Sequence, residues 1–331
     1  MSFPNISDLV ATTIESRTKK IADNVRKNNA LYSRLSQRGN IKTVSGGTII
    51  YEELSFAENG NGGAYSGYDL LPVAAQDVLS AAQFNIKQYA VPVVVSGLEQ
   101  LQNSGREAMI DLVEKRLEVA ESTMLNKLAQ DAYGDGTGTG GKVLVGLDLA
   151  VPAVATASQT STYGGIDRTS WAFWRSYCPT GGSVTLPTAS TIQGYINTAW
   201  SNLVRGTDRP DLIIVDNNYW SAFMASLQAI QRFTDANEAN LGFPSIKYLG
   251  ADVVLDGGIG GFAYTNAATG GSMYLLNTKY FRLRPHKDRN MVPLSPNRRY
   301  AINQDAEVQI LAWAGALTCS GAQFQGRVFT T

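Results

Sequence analysis

TIIYEELSF at 48–56 and QFNIKQYAVPVVV at 83–95 flank AENGNGGAYSGYDLLP at 57–72. Thr48, Ile49, Ile50 and Tyr51 favour a strand, as do Phe84, Ile86, Tyr89, Val91, Val93, Val94 and Val95. The Gly and Asn clusters between them mark turns. Residues 43–96 therefore form a long two-stranded excursion with a flexible tip. An isolated hairpin is marginal in water, so this one must lie on something. From 43 to 86 it holds no Lys or Arg but carries Glu52, Glu53, Glu58, Asp69 and Asp77. Glu52 and Glu53, adjacent on a strand, face opposite sides.

Upstream, residues 6–38 are predicted helical. Ile6, Leu9, Val10, Thr13, Ile14, Ile21, Val25, Leu31 and Leu35 recur at helical spacing, and Gly39 stops the run. Residues 1–42 hold eight basic side chains, Arg17, Lys19, Lys20, Arg26, Lys27, Arg34, Arg38 and Lys42, against Asp8, Glu15 and Asp23. This is a basic amphipathic arm.

Downstream, residues 98–132 are predicted as one long helix. Ile110, Val113, Leu117, Ala120, Met124 and Leu128 make a single apolar stripe. Residues 143–154 are apolar, and 163–178 are rich in aromatics: Tyr163, Trp171, Phe173, Trp174 and Tyr177. A helix is expected over 188–205 and a buried strand over Asp211–Val215. Asp216 or Asn217 caps a following helix, and strands follow near 251–255, 273–283 and 306–318. The order is that of an α+β protein.

Composition narrows the function. The 331 residues hold 28 Lys plus Arg and 28 Asp plus Glu, a formal charge of zero, whereas a nucleic-acid-gripping protein is usually basic. Charged residues are 17%, low beside the roughly 25% of an average soluble domain, which suits a protein that buries itself against its own copies. Cys178 and Cys319 make no disulfide framework or zinc spacing. The first twenty residues lack the apolar run of an export signal, and no stretch approaches the roughly 20 apolar residues that span a bilayer. No cofactor is expected.

Chemical motifs are few. Gly136–Lys142 satisfies GxxxxGK, but Val143 stands where Ser or Thr holds magnesium, and the motif follows a helix instead of a strand. His286, the single histidine, lies in the charged run FRLRPHKDRN, expected to be exposed after a strand. Asp235 and Glu238 share at most a helical turn in a polar stretch. A second basic segment spans 282–299, where Arg282, Arg284, Lys287, Arg289, Arg298 and Arg299 face Asp288 alone. Either basic segment can pair with the acidic hairpin of another copy, which fixes register more than strength. The N-terminal arm can also touch nucleic acid nonspecifically. On this expectation, charge reversal at Glu52 and Glu53 impairs assembly and leaves the monomer folded.

A basic helical arm, a dependent hairpin, a long helix and a mixed remainder follow in this order. So do NALYSRLSQRG at 29–39, YGGIDRTSWAFWRS at 163–176, RPDLIIVDNNYW at 209–220, IKYLGADVVLDGG at 246–258, YLLNTKYFRLRPHKDRNMVPL at 274–294 and NQDAEVQILAWAGALTCS at 303–320. The chain resembles the tailed-bacteriophage major capsid proteins with the Hong Kong 97 shell fold. The resemblance implies an N-arm over 1–42, an extended loop over 43–96 that overlaps a neighbour, and a peripheral domain with a spine helix over 97–187. It implies an axial domain over 188–300, with the C-terminal strands of 301–331 returning to the peripheral domain. It further implies a structural, non-enzymatic subunit that assembles as hexamers and pentamers around double-stranded DNA. A portal protein at one vertex and room for a decoration protein belong to the same picture, as do assembly in the bacterial cytoplasm and residence in the virion. Some members cross-link a loop lysine to a neighbour, which a loop without lysine is not expected to do. Others carry a scaffolding domain before the arm. Here the arm begins almost at Met1, so a separate scaffolding protein is expected. The nearest rival is an encapsulin shell, which would enclose protein; a phosphate-binding enzyme using 136–142 is the rival from another class.

Overall fold

The computed structural model describes residues 29–71, 73–102, 106–227, 245–257, 262, 271–294, 299–300 and 305–330. The arm enters as helix α1 (Ala30–Gln37), capped by Asn29, whose side chain accepts the Tyr32 N–H at 3.2 Å. Asn29 is extended (φ −130°, ψ 129°), so α1 starts there and does not continue a helix running from residue 6. The rest of the expected arm helix lies outside the described residues. The helix ends as foreseen at Gly39 (φ +68°): the Gly39 N–H donates to Ser36 O and the Asn40 N–H to Leu35 O. That is the double bond a left-handed C′ glycine provides.

The hairpin is formed by β1 (Ile49–Ser55) and β2 (Leu79–Asn85), antiparallel, with Glu52 opposite Ala82. The apolar run expected as one return strand is two strands. After Ile86 the chain switches sheets and continues as β3 (Lys87–Ser96). Two helices follow, α2 (Gly97–Gln102) and α3 (Arg106–Ala132), with residues 103–105 between them outside the described set. At 1.5 Å per residue the 27 residues of α3 run about 40 Å. Of its expected stripe, Leu117, Ala120, Met124 and Leu128 are buried, while the side chains of Ile110 and Val113 lie outside the described set; Ala132 is buried as well.

The second half builds two sheets. Helix α4 (Ile192–Leu203) precedes β4 (Leu212–Val215) and α5 (Asn217–Ser226). Strands β5 (Ser245–Tyr248), β6 (Ala251–Leu255), β7 (Ser272–Leu276), β8 (Phe281–Pro293), β9 (Arg299–Tyr300), β10 (Ala306–Cys319) and β11 (Gly326–Phe329) complete the chain. The strand expected over 273–283 is split by a helical turn at Thr278–Tyr280. One sheet has the order β11-β7-β4-β6-β5; β4 and β6 are parallel and the other pairs antiparallel. Along β4, Leu212 and Ile214 face the main core, while Ile213 and Val215 face a second core with Ile192, Ile196, Phe223 and Val328. A strand buried on both faces reads as a continuous apolar run, as LIIV does.

The other sheet is centred on β10, which pairs β3 along one edge and β8, then β9, along the other. Strand β8 thus joins the sheet of β3, and β11 joins the five-stranded sheet. The middle of α3 packs on the β10 sheet through Leu117 and Ala120 against Val93 and Leu311. Its second half joins the main core with Leu31, Leu35, Phe84, Trp174 and Leu317. Among the described residues no helix is long and apolar enough to cross a membrane.

Candidate functional site

The hairpin has a fixed root and an exposed tip. Along β1, Ile50, Glu52 and Leu54 are buried while Tyr51, Glu53 and Ser55 face out, the alternation of a half-buried strand. Glu52 is 2% exposed. Its Oε1 accepts from Arg284 Nε at 2.9 Å, Arg284 Nη2 at 2.7 Å and the Thr318 hydroxyl at 2.8 Å; its Oε2 accepts from Arg282 Nη1. Arg282 and Arg284 are two apart on β8, so both point to one face, and Thr318 is the cross-strand partner of Arg282. The acid–base pairing expected for Glu52 is therefore present, but inside its own subunit. Charge reversal there would set a cation against Arg282 and Arg284, so it is expected to destabilise the subunit itself.

The aromatic segment after residue 160 supports the root. A two-residue hairpin, Thr162–Tyr163 with Ile166–Asp167, turns at Gly164 and Gly165. Gly164 (φ +58°) is tightly placed: a Cβ there would come within 3.1 Å of Ala82 Cβ and Phe84 Cζ, in a backbone conformation that favours glycine. Its carbonyl accepts the Gln83 N–H at 2.8 Å. Phe84 meets Tyr163 edge-on at 5.4 Å, Tyr163 stacks on Trp174, and Phe56 meets Trp171 and Phe173 at 5.5 and 5.7 Å. Arg168 holds this platform together. Fully buried, it donates to Leu149 O, Ala150 O, Trp174 O and Ser161 Oγ at 2.6–3.1 Å, and it lies over the Tyr163 ring. The hairpin thus lies first on its own chain.

The tip is different. Tyr65, Tyr68, Leu70, Leu71, Val73 and Leu79 are all exposed, as are Glu53, Glu58, Asp69 and Asp77. So many large apolar side chains on one projection mark an interaction surface. Of the basic groups weighed as partners, Arg17, Lys19, Lys20, Arg26, Lys27 and Arg298 lie outside the described residues, as do Asp235 and Glu238. Arg299 sits in β9 opposite Val308. Lys287 and Arg289 are exposed at the bulged part of β8, where Arg289 donates to Gln88 Oε1 at 2.9 Å.

The last turn of the arm is also used within the chain. Arg34 and Arg38 reach Asp211 at 3.2 and 3.0 Å, and Arg34 reaches Asp252 at 3.0 Å. Asp211 also accepts the Thr278 N–H and hydroxyl, both at 2.6 Å. Tyr32 donates to Leu128 O at 3.0 Å, tying α1 to α3. Asp256, fully buried after β6, accepts from Tyr133 of the loop after α3 and from the Ala30 N–H at 3.4 Å. Burial pushes its carboxyl up to about 6, against the lowering effect of those two donors. Sequence reasoning did not single out Arg168, Asp211 or Asp256 for a role. For the two aspartates the one sequence signal is a charge set against an apolar run, DLIIV and ADVVLD; Arg168 in GGIDRTS has none.

The glycine loop is not a phosphate cradle. Asp135 takes the Thr137 N–H and hydroxyl at 2.9 and 2.8 Å, and these bonds hold its carboxyl below the usual range. A carboxylate thus sits on donors that a phosphate would need. Gly141 O accepts from Lys87, and Lys142 is exposed. His286 stands within β8, half-buried, not exposed after a strand, and its Nδ1 accepts the Asp288 N–H at 3.2 Å. Among the described residues no group of His, Cys, Asp and Glu is placed to hold a metal ion.

No family model and no curated protein matches the sequence. Solved structures do match. The cyanophage A-1(L) capsid asymmetric unit superposes with a TM-score of 0.60 at 16% identity, covering 90% of this chain and 92% of that one. The capsid of Myoviridae phage XM1 gives 0.51 at 12% identity over 90% and 92%. The satellite phage P4 procapsid, which includes a size determination protein, gives 0.51 at 11% over 94% and 90%. These likenesses extend over about nine-tenths of the chain. The chain has the fold of phage capsid shell proteins.

Proposed function

We propose that this chain is a major capsid protein of a tailed bacteriophage. It assembles with copies of itself, as hexamers and pentamers, into an icosahedral shell around double-stranded DNA. The role is structural, without catalysis or cofactor. The observation that carries it is the division of the hairpin. Its root is locked to its own subunit by Glu52, while its tip projects Tyr68, Leu70 and Val73 into solvent on a fold shared with capsid shells. A surface of that kind is completed by a neighbour.

The finer parts of the reading are these. The tip overlaps the adjacent subunit, and Glu53, Glu58, Asp69 and Asp77 meet basic groups there, from the arm (Arg17, Lys19, Lys20, Arg26, Lys27) or from 282–299. Glu52 is excluded from that set by its internal partners. A separate scaffolding protein guides assembly in the host cytoplasm, a portal protein occupies one vertex, and the arm touches packaged DNA nonspecifically. Negative-stain electron microscopy of the purified protein, with its nucleic-acid to protein absorbance ratio, tests this. Shells, tubes or capsomer rings are expected, with nuclease-resistant nucleic acid in native particles. Compact monomers at high concentration, even with a candidate scaffold added, would refute it. Particles that hold protein cargo and no nucleic acid would point to an encapsulin.

A further inference from the structure

The far end of the hairpin carries two Asn-Gly pairs, Asn59-Gly60 and Asn61-Gly62. We propose that Asn59 is a site of spontaneous deamidation and that the fold protects Asn61, although the two share the same dipeptide.

The chemistry needs no enzyme. The backbone nitrogen of Gly60 loses its proton to solvent base and attacks Cγ of Asn59. The new N–C bond closes a five-membered ring. The Cγ–Nδ2 bond breaks, and the amide group leaves as ammonia after taking a proton from water. A second water opens the ring at either carbonyl, which leaves aspartate or isoaspartate. Overall one water is consumed and one ammonia released, with nothing oxidised or reduced.

The two sites differ in what holds them. Asn59 is exposed, and its side-chain Oδ1 accepts the Asn61 N–H at 3.0 Å. That bond draws charge from Cγ and stabilises the oxyanion formed on attack, as any aligned backbone donor does. Gly60 offers no Cβ to shield the attacking nitrogen. The turn does not require glycine there: Gly60 is not left-handed, and a Cβ would make an ordinary 3.5 Å contact with Gln76 Oε1. Asn61 is half-buried, and its Nδ2 donates to Ala74 O at 2.5 Å across the tip, so the leaving group is tethered. Its would-be nucleophile is also engaged, since the Gly62 N–H donates to Asn59 O at 3.0 Å. Conversion at Asn59 adds a carboxylate beside Glu58 on a tip that already holds Asp69 and Asp77. The charge of the tip therefore grows with the age of the subunit.

The test is independent of the capsid reading. The full-length chain is held in mildly alkaline buffer, and tip peptides are followed by mass spectrometry. In the folded chain Asn59 should convert several-fold faster than Asn61, and the two rates should converge in urea. Gly60→Ala should slow conversion at Asn59 several-fold with an unchanged melting temperature. Equal rates in the folded chain, faster loss at Asn61, a preference that persists in urea, or no conversion at either site would overturn the proposal.

Discussion

Arg284 places two nitrogens on one oxygen of Glu52, Nε at 2.9 Å and Nη2 at 2.7 Å, and so joins the root of the hairpin to a strand 232 residues later. The acid is buried and its two guanidinium partners are partly so. Removing one member of a buried pair leaves the others uncompensated, at a cost of about 3–5 kcal/mol. Glu52→Ala should therefore lower subunit stability by that order in chemical denaturation. Glu53→Lys, on the outer face of the same strand, should leave it unchanged and act on assembly alone. Equal unfolding midpoints for Glu52→Ala and the parent chain would remove the root from this account.

Arg168 makes the platform beneath the root. Replacing it with Met leaves the carbonyls of Leu149, Ala150 and Trp174 without their donor. Each buried acceptor so stranded costs about 1–3 kcal/mol. Arg168→Met should therefore unfold at markedly lower denaturant, and Arg168→Lys should recover part of the loss. Near-ultraviolet circular dichroism should report the loosened Tyr163–Trp174 stack in both.

Asp256 predicts a pH dependence with a definite sign. Its folded carboxyl titrates near 6, above its unfolded value of 3.8, so between those values the folded chain holds the extra proton. The stabilisation is complete below the lower value and is lost as pH rises through about 6. At two units it amounts to roughly 3 kcal/mol. Carboxyls such as Asp167, lowered by bonds from the Thr169 N–H and the Ser170 hydroxyl, act in the opposite sense at lower pH. The difference between the parent chain and Asp256→Asn isolates the effect. Its magnitude should change from about pH 4 to about pH 7 and then level off. A flat difference would mean that the carboxyl titrates at its ordinary value.

The tip is expected to matter to assembly and not to folding. Tyr68→Ser combined with Leu70→Ser removes two fully exposed apolar side chains, and surface changes of this kind shift stability by about 0.5 kcal/mol or less. The variant should melt like the parent and fail to form shells by electron microscopy. Normal shells from it would show that the tip is not the adhesive surface.

Much of this was legible in the sequence because periodicity is local. The stripe Leu117, Ala120, Met124 and Leu128 lies buried as expected, and Glu52 and Glu53 part to opposite faces. What failed was non-local or hidden by continuity. The apolar stripe runs through Asn29, so the cap that starts α1 is masked by the pattern around it, although Asn before an apolar run is itself a start signal. The run from Phe84 to Val95 looks like one strand because the change of sheet at Ile86 leaves no turn residue. Opposite charge identified Arg282 and Arg284 as partners for Glu52, but composition does not say whether a partner belongs to the same copy. Arg168 escaped notice because its acceptors are backbone carbonyls, which no sequence displays.

The central position of β10 has a consequence in time. Its pairings to β3 and β8 mean that the four-stranded sheet is incomplete until residues 306–319 have been made, and Thr318, which completes the shell of donors around Glu52, arrives with them. Contacts between distant parts of a chain form late and slowly. Until then the hairpin has its aromatic platform and its two arginines but not the full set of donors around Glu52. The placement of one late strand postpones the hairpin's final anchoring until more than 200 residues after the hairpin itself have been made.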